Sequence, residues 1–210
     1  MTYAQGRAAL AQTELFGPII RQVGRCLLKP EKREPYEALV RAIAHQQVHG
    51  RAAEAMLGRL LLLYPHADFP PPTALLDAGP DKLRACGFSA AKCASILDIA
   101  EKSAAGWVPT RRAAMRLSDE ELIERLVALR GVGRWTVEML LIFTLGRMDV
   151  LPVDDFGVRE GYRMALKLET QPKPKELAAV GAAWAPFRSV AAWYLWRNVD
   201  LERKMKMVAP

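Results

Sequence analysis

Leu129-Arg130-Gly131-Val132-Gly133-Arg134-Trp135-Thr136 sets two glycines around one valine, between two stretches of helical periodicity. Helix, Gly-x-Gly and helix in succession predict a tight αα-hairpin. Glycine in such a turn permits positive φ and lets main chain approach a ligand with no Cβ in the way. The start of the second helix aims N–H groups outward, where an anion such as phosphate is favoured. Asp154 and Asp155 follow Gly133 by 21 and 22 residues, across a helix and a loop, a spacing that can return a carboxylate to the hairpin's side. One aspartate is needed to cap the helix beginning at Phe156, and Asp154 is assigned that task, leaving Asp155 for chemistry.

Working outward, apolar residues recur at three and four positions almost throughout. Phe16, Ile19, Ile20, Val23 and Leu27 form one stripe, Tyr36, Leu39, Val40 and Ile43 a second, and Ala53, Met56, Leu57, Leu60 and Leu61 a third. Pro18 and Pro35 suit first helical positions, where a missing N–H costs nothing. Pro65 to Thr73 reads as loop, and Leu83 to Ile99 as helix, turn and helix, with Gly87 closing the first and Ser89 capping the second. Ser118-Asp119-Glu120-Glu121 is a capping box before the stripe Leu122, Leu126 and Leu129. Trp135 to Leu145 reads as a mostly apolar helix ended by Gly146. Pro172 and Pro174 mark a loop, and Pro186 is read as beginning the last long helix. No stretch alternates as a half-buried strand does, so the fold class is all-α.

The 210 residues carry 30 Lys and Arg against 23 Asp and Glu, a formal charge of +7, with 51% hydrophobic residues. That is a folded basic protein, and nucleic acid ranks ahead of anionic membrane as a partner. Cys26, Cys86 and Cys93 form no Cys-x-x-Cys pair, so reduced core thiols are expected in preference to a metal or redox site. Met1 to Arg7 lacks the apolar stretch of a signal peptide, and Met139 to Leu145 is too short to span a bilayer. No membrane association is expected, and the location expected is cytoplasmic, or nucleoid-associated in a bacterium.

Taken with Ala44-His45-Gln46-Gln47-Val48, Leu83 to Ser89 with Lys92, Leu151-Pro152-Val153-Asp154-Asp155, and Pro186 to Ser189 leading to Trp196, the hairpin resembles a known family. The chain is similar to the helix-hairpin-helix DNA glycosylases of the endonuclease-III superfamily, in particular the 3-methyladenine DNA glycosylase II branch for alkylated bases. That resemblance implies two helical domains with an active-site cleft between them. Residues 36–149 would carry the hairpin, and residues 1–35 with 150–210 the catalytic Asp155. The activity implied is excision of alkylated purines, of the 3-methyladenine and 7-methylguanine type, from duplex DNA. Trp135 falls where lyase-competent relatives carry a nucleophilic lysine, so water is the implied nucleophile and the strand is left uncut.

By the same resemblance, Trp135, Trp196, Phe156 and Met139 line the base pocket, while Trp184 and Trp193 are read as core. Gly131, Val132, Gly133, Arg134, Thr136 and Arg188 contact DNA, with Gln47 at the position that fills the gap left by an extruded nucleotide. The alkylation glycosylases with a long amino-terminal domain carry leucine there; this chain has a polar amide. His45 and His49 flank it. The carbonyls of Val127, Leu129 and Val132 match those that hold a monovalent cation, Na or K, in relatives. No iron–sulfur cluster is expected without the four-cysteine cluster, no cofactor is required, and a monomer is expected. Arg21, Arg25, Lys29, Lys32, Arg33, Arg111, Arg112, Arg116, Arg203, Lys204 and Lys206 read mainly as solvated faces. A glycosylase for mismatched adenine, uracil or oxidised guanine, and a non-catalytic binder of damaged DNA, are the competing readings.

Overall fold

The computed structural model describes the chain through residue 208, and its side chains through residue 203. Among the described residues there are twelve α-helices, a π-helical turn and a 3₁₀ turn, and no strand. No helix there is long and apolar enough to cross a membrane. The chain divides into two compact units, Glu31–Leu140 and Met1–Pro30 with the chain from Leu141 onward.

The first unit holds α3 (Pro35–His45), α4 (Gly50–Leu62), α5 (Pro72–Ala85), α6 (Ala90–Ala104), α7 (Arg111–Ala114), α8 (Asp119–Leu126) and α9 (Arg134–Leu140). Its core joins Leu39, Val40 and Ile43 of α3 to Leu57, Leu83, Ile96, Ile99, Leu122 and Val137, all at most 1% exposed. Local caps set the boundaries. Pro35 opens α3, Ser89 Oγ accepts the Lys92 N–H at 3.3 Å, and Ser118 with Glu121 closes a reciprocal capping box. The loop expected over Pro65 to Thr73 is shorter, because Pro72 opens α5. A proline needs no N–H partner in a first helical turn, so proline density overstated the loop.

The second unit holds α1 (Tyr3–Leu10), α2 (Phe16–Val23), the π-helical turn Leu141–Leu145, α10 (Phe156–Ala165), α11 (Pro174–Gly181), the 3₁₀ turn Ala182–Trp184 and α12 (Arg188–Val208). Phe16, Ile19, Ile20, Ile142, Val158, Leu177, Trp184, Val190, Trp193, Tyr194 and Leu195 are buried together. Leu27 is 70% exposed and lies off its expected stripe, since α2 ends at Gly24, φ 81°. Asn198 Nδ2 donates to the Gly161 carbonyl at 3.1 Å, tying α12 to α10.

These boundaries differ from the breaks expected after residues 35 and 149. Glu31 and Glu34 belong with the hairpin unit, because Glu34 Oε2 accepts the Arg111 N–H at 2.7 Å and Arg111 Nη1 donates to the Glu31 carbonyl at 3.2 Å. The other break falls between Leu140, the last residue of α9, and Leu141, which with Ile142 and Leu145 is buried.

Candidate functional site

In the hairpin unit, the turn between α8 and α9 uses its two glycines differently. Gly131 has φ 76°, and a Cβ there would meet Ser95 Oγ at 2.6 Å and Ile43 Cδ1 at 3.3 Å. Gly133 lies outside the left-handed region, and a Cβ there would meet nothing within 4 Å. The fold therefore demands glycine at 131 but not at 133, where the missing side chain leaves the main chain open from outside. The Val132 N–H donates to the Leu129 carbonyl at 3.2 Å and its side chain is 5% exposed, so this residue builds the turn rather than facing a ligand. Thr136 is likewise 5% exposed, and its side chain does not serve the surface. What remains outward is main chain at the start of α9, with Trp135 46% exposed and Met139 half-buried.

Arg134 is the arginine expected to contact DNA. Its Nη1 and Nη2 donate to Glu120 at 3.0 and 3.3 Å, and its Nε to Glu138 at 3.2 Å. The Glu120 carboxylate holds the guanidinium above the ordinary arginine range. A phosphate would have to displace Glu120, whereas Glu138, only 4% exposed, anchors the stem of the side chain.

The turn joining α3 to α4 lies beside the hairpin within the same unit. Gln47 is exposed and has φ 53°, a left-handed conformation uncommon for a residue with a side chain. Such strain marks a functional candidate when it sits at an exposed turn. Gln46 is tied down, its Nε2 donating to the Gly131 carbonyl at 3.0 Å. A concavity of about 430 Å³ opens here, lined among others by Gln46, Gln47, Ser89, Lys92, Ser95 and Gly131. Lys92 Nζ donates to the Ala44 carbonyl at 2.7 Å, and burial lowers its pKa. His49 caps α4 through Nδ1, and His45 pairs with Glu54, so both flanking histidines have local duties.

In the other unit, Asp155 and not Asp154 is the N-cap of α10: its Oδ1 accepts the Val158 N–H at 2.8 Å. The Asp155 N–H bonds the Pro152 carbonyl at 3.1 Å, which fixes the register, and Asp154 is solvent-exposed. Trp196 Nε1 donates to the same Oδ1 at 2.8 Å. The capping carboxylate is thus held by two N–H donors at the positive end of a helix. Gly157 permits this: a Cβ there would meet Trp196 Cδ1 at 2.8 Å. The Trp196 ring stacks on Phe143 with centroids 5.6 Å apart, and Phe143, which the motifs did not point to, is 37% exposed from the π-helical turn. Phe156, first residue of α10, is 64% exposed.

Changing Trp196 to Phe keeps a ring over Phe143 and removes one donor from Asp155. Hydrogen bonds to charged groups contribute about 1.5–3 kcal/mol, so any reaction run by Asp155 should slow by roughly tenfold or more. Single-turnover rates against the melting curve check this: a slowed rate with unchanged melting supports the orienting role, an unchanged rate removes it.

Arg188 was expected on DNA, but it forms a two-point pair with Asp149, Nε to Oδ1 at 2.7 Å and Nη2 to Oδ2 at 2.9 Å. The Arg188 guanidinium holds the Asp149 carboxyl below the usual range. With Ser189 Oγ accepting the Val150 N–H at 3.0 Å, the pair fastens the start of α12 to the 147–150 segment. Arg33 pairs with Glu31 and Glu37, and the side chains of Lys204 and Lys206 lie outside the described residues.

Among the described residues no group of three or more His, Cys, Asp or Glu side chains could hold a metal ion. Of the hairpin carbonyls expected to hold a monovalent cation, those of Val127, Leu129 and Val132, that of Leu129 accepts the Val132 N–H.

A glycine-turned helical hairpin and a capped, tryptophan-held aspartate, all on helices, define a protein of the helix-hairpin-helix class. Residues 40–186 match the family described as HhH-GPD superfamily base excision DNA repair protein, and the chain belongs to that family. It is 48% identical over 180 residues to DNA-3-methyladenine glycosylase 1 of Schizosaccharomyces pombe, covering 86% of this chain and 79% of that protein. Among solved structures, the S. pombe 3-methyladenine DNA glycosylase in complex with abasic DNA superposes with TM-score 0.83 at 44% identity, covering 92% of this chain and 95% of that one. A DNA-3-methyladenine glycosidase from Bacillus halodurans gives TM-score 0.84 at 31% identity, over 97% and 92% of the two chains.

Proposed function

We propose that this chain is a DNA-3-methyladenine glycosylase of type II that hydrolyses the N-glycosidic bond of alkylated purines, 3-methyladenine and 7-methylguanine among them, in duplex DNA. The observation that carries this reading is Asp155, held by two N–H donors on one oxygen and followed at once by an exposed aromatic, in a chain of a base excision repair family. Main chain at the start of α9 holds backbone phosphate, and Gln47 fills the gap left when the nucleotide is turned out. Alkylation at N3 or N7 makes the base cationic. The ring faces of Phe156 and Trp196, next to Asp155, favour that charge by about 0.5–2 kcal/mol each.

As the bond from C1′ to N9 breaks, its electron pair leaves with the base, which departs neutral. The sugar gains oxocarbenium character, which the Asp155 carboxylate stabilises while orienting the attacking water. Water adds its oxygen to C1′ and its second proton passes to solvent, leaving an abasic sugar. Trp135 offers no amine, so no Schiff base forms and the strand stays whole. A monovalent cation on the hairpin carbonyls would stiffen the turn and take no part in the reaction. The protein acts as a monomer without cofactor, and cytoplasmic conditions suit its three free thiols.

A panel of duplexes, each with one lesion, tests this under single-turnover conditions. Alkylated purines should be converted to alkali-labile sites with no nick before alkali is added. A nick without alkali would overturn the water mechanism. Faster conversion of uracil, mismatched adenine or oxidised guanine than of alkylated purines would overturn the substrate class.

A further inference from the structure

The hairpin does not rest on apolar packing alone. Ser95, Asp98 and Lys102 lie at spacings of three and four along α6, one face of that helix, and all three meet the segment entering the turn. Asp98 Oδ2 accepts the Arg130 N–H at 2.8 Å. Lys102 Nζ pairs with Asp98 Oδ1 at 2.9 Å and also donates to the Ala128 carbonyl at 3.1 Å. Ser95 Oγ would lie 2.6 Å from a Cβ on Gly131. From the turn after α3, Gln46 Nε2 donates to the Gly131 carbonyl. Peptide groups at 128, 130 and 131 are therefore each fastened by a side chain from elsewhere in the unit, two from α6 and one from the turn after α3.

We infer that Asp98 and Lys102 are the positioning residues of the hairpin: together they fix the turn so that the start of α9 meets a DNA phosphate, without touching the DNA themselves. This rests on the glycosylase reading above. Asp98 provides the geometry, because a carboxylate can accept a main-chain N–H that a neutral aliphatic side chain cannot. The same carboxylate brings a negative charge close to where phosphate must sit. Lys102 offsets that charge from within the protein and, by bonding Ala128, adds a second fixed point on the far side of the Arg130 N–H. Removing the aspartate loosens the turn; removing only the lysine leaves the turn placed beside an uncompensated negative charge.

The test measures equilibrium binding of the full-length protein to an alkylated duplex at several salt concentrations, with the single-turnover rate at saturating DNA. Asp98→Ala should weaken binding about tenfold and leave the saturating rate within about twofold of the wild type. Asp98→Asn keeps an acceptor for the Arg130 N–H and should recover most of the loss. Lys102→Met should weaken binding with the slope of log K against log salt changed by well under one, since a screened repulsion is added but no phosphate contact is removed; losing a direct contact would lower the slope by about one. Wild-type affinity in Asp98→Ala, no recovery in Asp98→Asn, or a slope reduced by one in Lys102→Met each overturns the inference. Absence of duplex binding by the wild type would overturn the glycosylase reading itself, so the two failures are distinct.

Discussion

Asp155→Asn should lose base release by at least about a hundredfold, the scale on which a positioned acid or a preorganised charge acts. The substitution is nearly isosteric, and asparagine is as good an N-cap as aspartate. Its amide oxygen can still accept from the Val158 N–H and from Trp196 Nε1, so α10 keeps its start and Trp196 its place. Only the charge is lost. Duplex binding should therefore be unchanged or tighter, because a negative group near the phosphates is gone. Asp155→Ala differs: it also removes the cap, at about 1 kcal/mol, and should melt lower. Release by the Asn variant at a rate near the wild type would mean that Asp155 does not carry the chemistry.

The second large effect contrasts the two glycines of the hairpin. Gly131→Ala forces a side chain into φ 76° and against the buried Ser95 hydroxyl, and should destabilise the protein by about 1–3 kcal/mol. Gly133→Ala meets nothing within the protein and should melt within about 0.5 kcal/mol of the wild type. It places a methyl group where phosphate must reach main chain, and affinity for duplex should fall about tenfold or more while the fold stands. Thermal melts paired with binding isotherms separate these outcomes. A Gly133→Ala protein that binds as the wild type does would mean that the phosphate lies elsewhere.

Both substitutions rest on features that differ in how far the sequence reveals them. Caps and turns are local, so Ser89, the Ser118 box, Gly87 and the hairpin could be read directly. The register of Asp154 and Asp155 could not, because it depends on a turn closed by the Pro152 carbonyl. Likewise α1 buries only Gly6 and Leu10 and leaves no stripe, although Thr2 and Gln5 do spell its capping box. The partners of the arginines are hidden for a different reason. Arg134 and Arg188 pair with Glu120 and Asp149, 14 and 39 positions away, which the helical pattern does not single out. Phe143 passed as one more apolar residue of a buried helix, and only the π-helical turn brings it to the surface beside Trp196. The positions that bear charge-based chemistry are thus less legible than those that bear backbone geometry, because pairing acts across the fold and capping acts along the chain.

The most direct measurement is chromatography of what leaves the DNA. Incubated with duplex carrying 3-methyladenine or 7-methylguanine, the protein should release free methylated purine with time, and the Asp155→Asn variant should release almost none. DNA that is bound yet yields no free base to the wild-type protein would contradict the account.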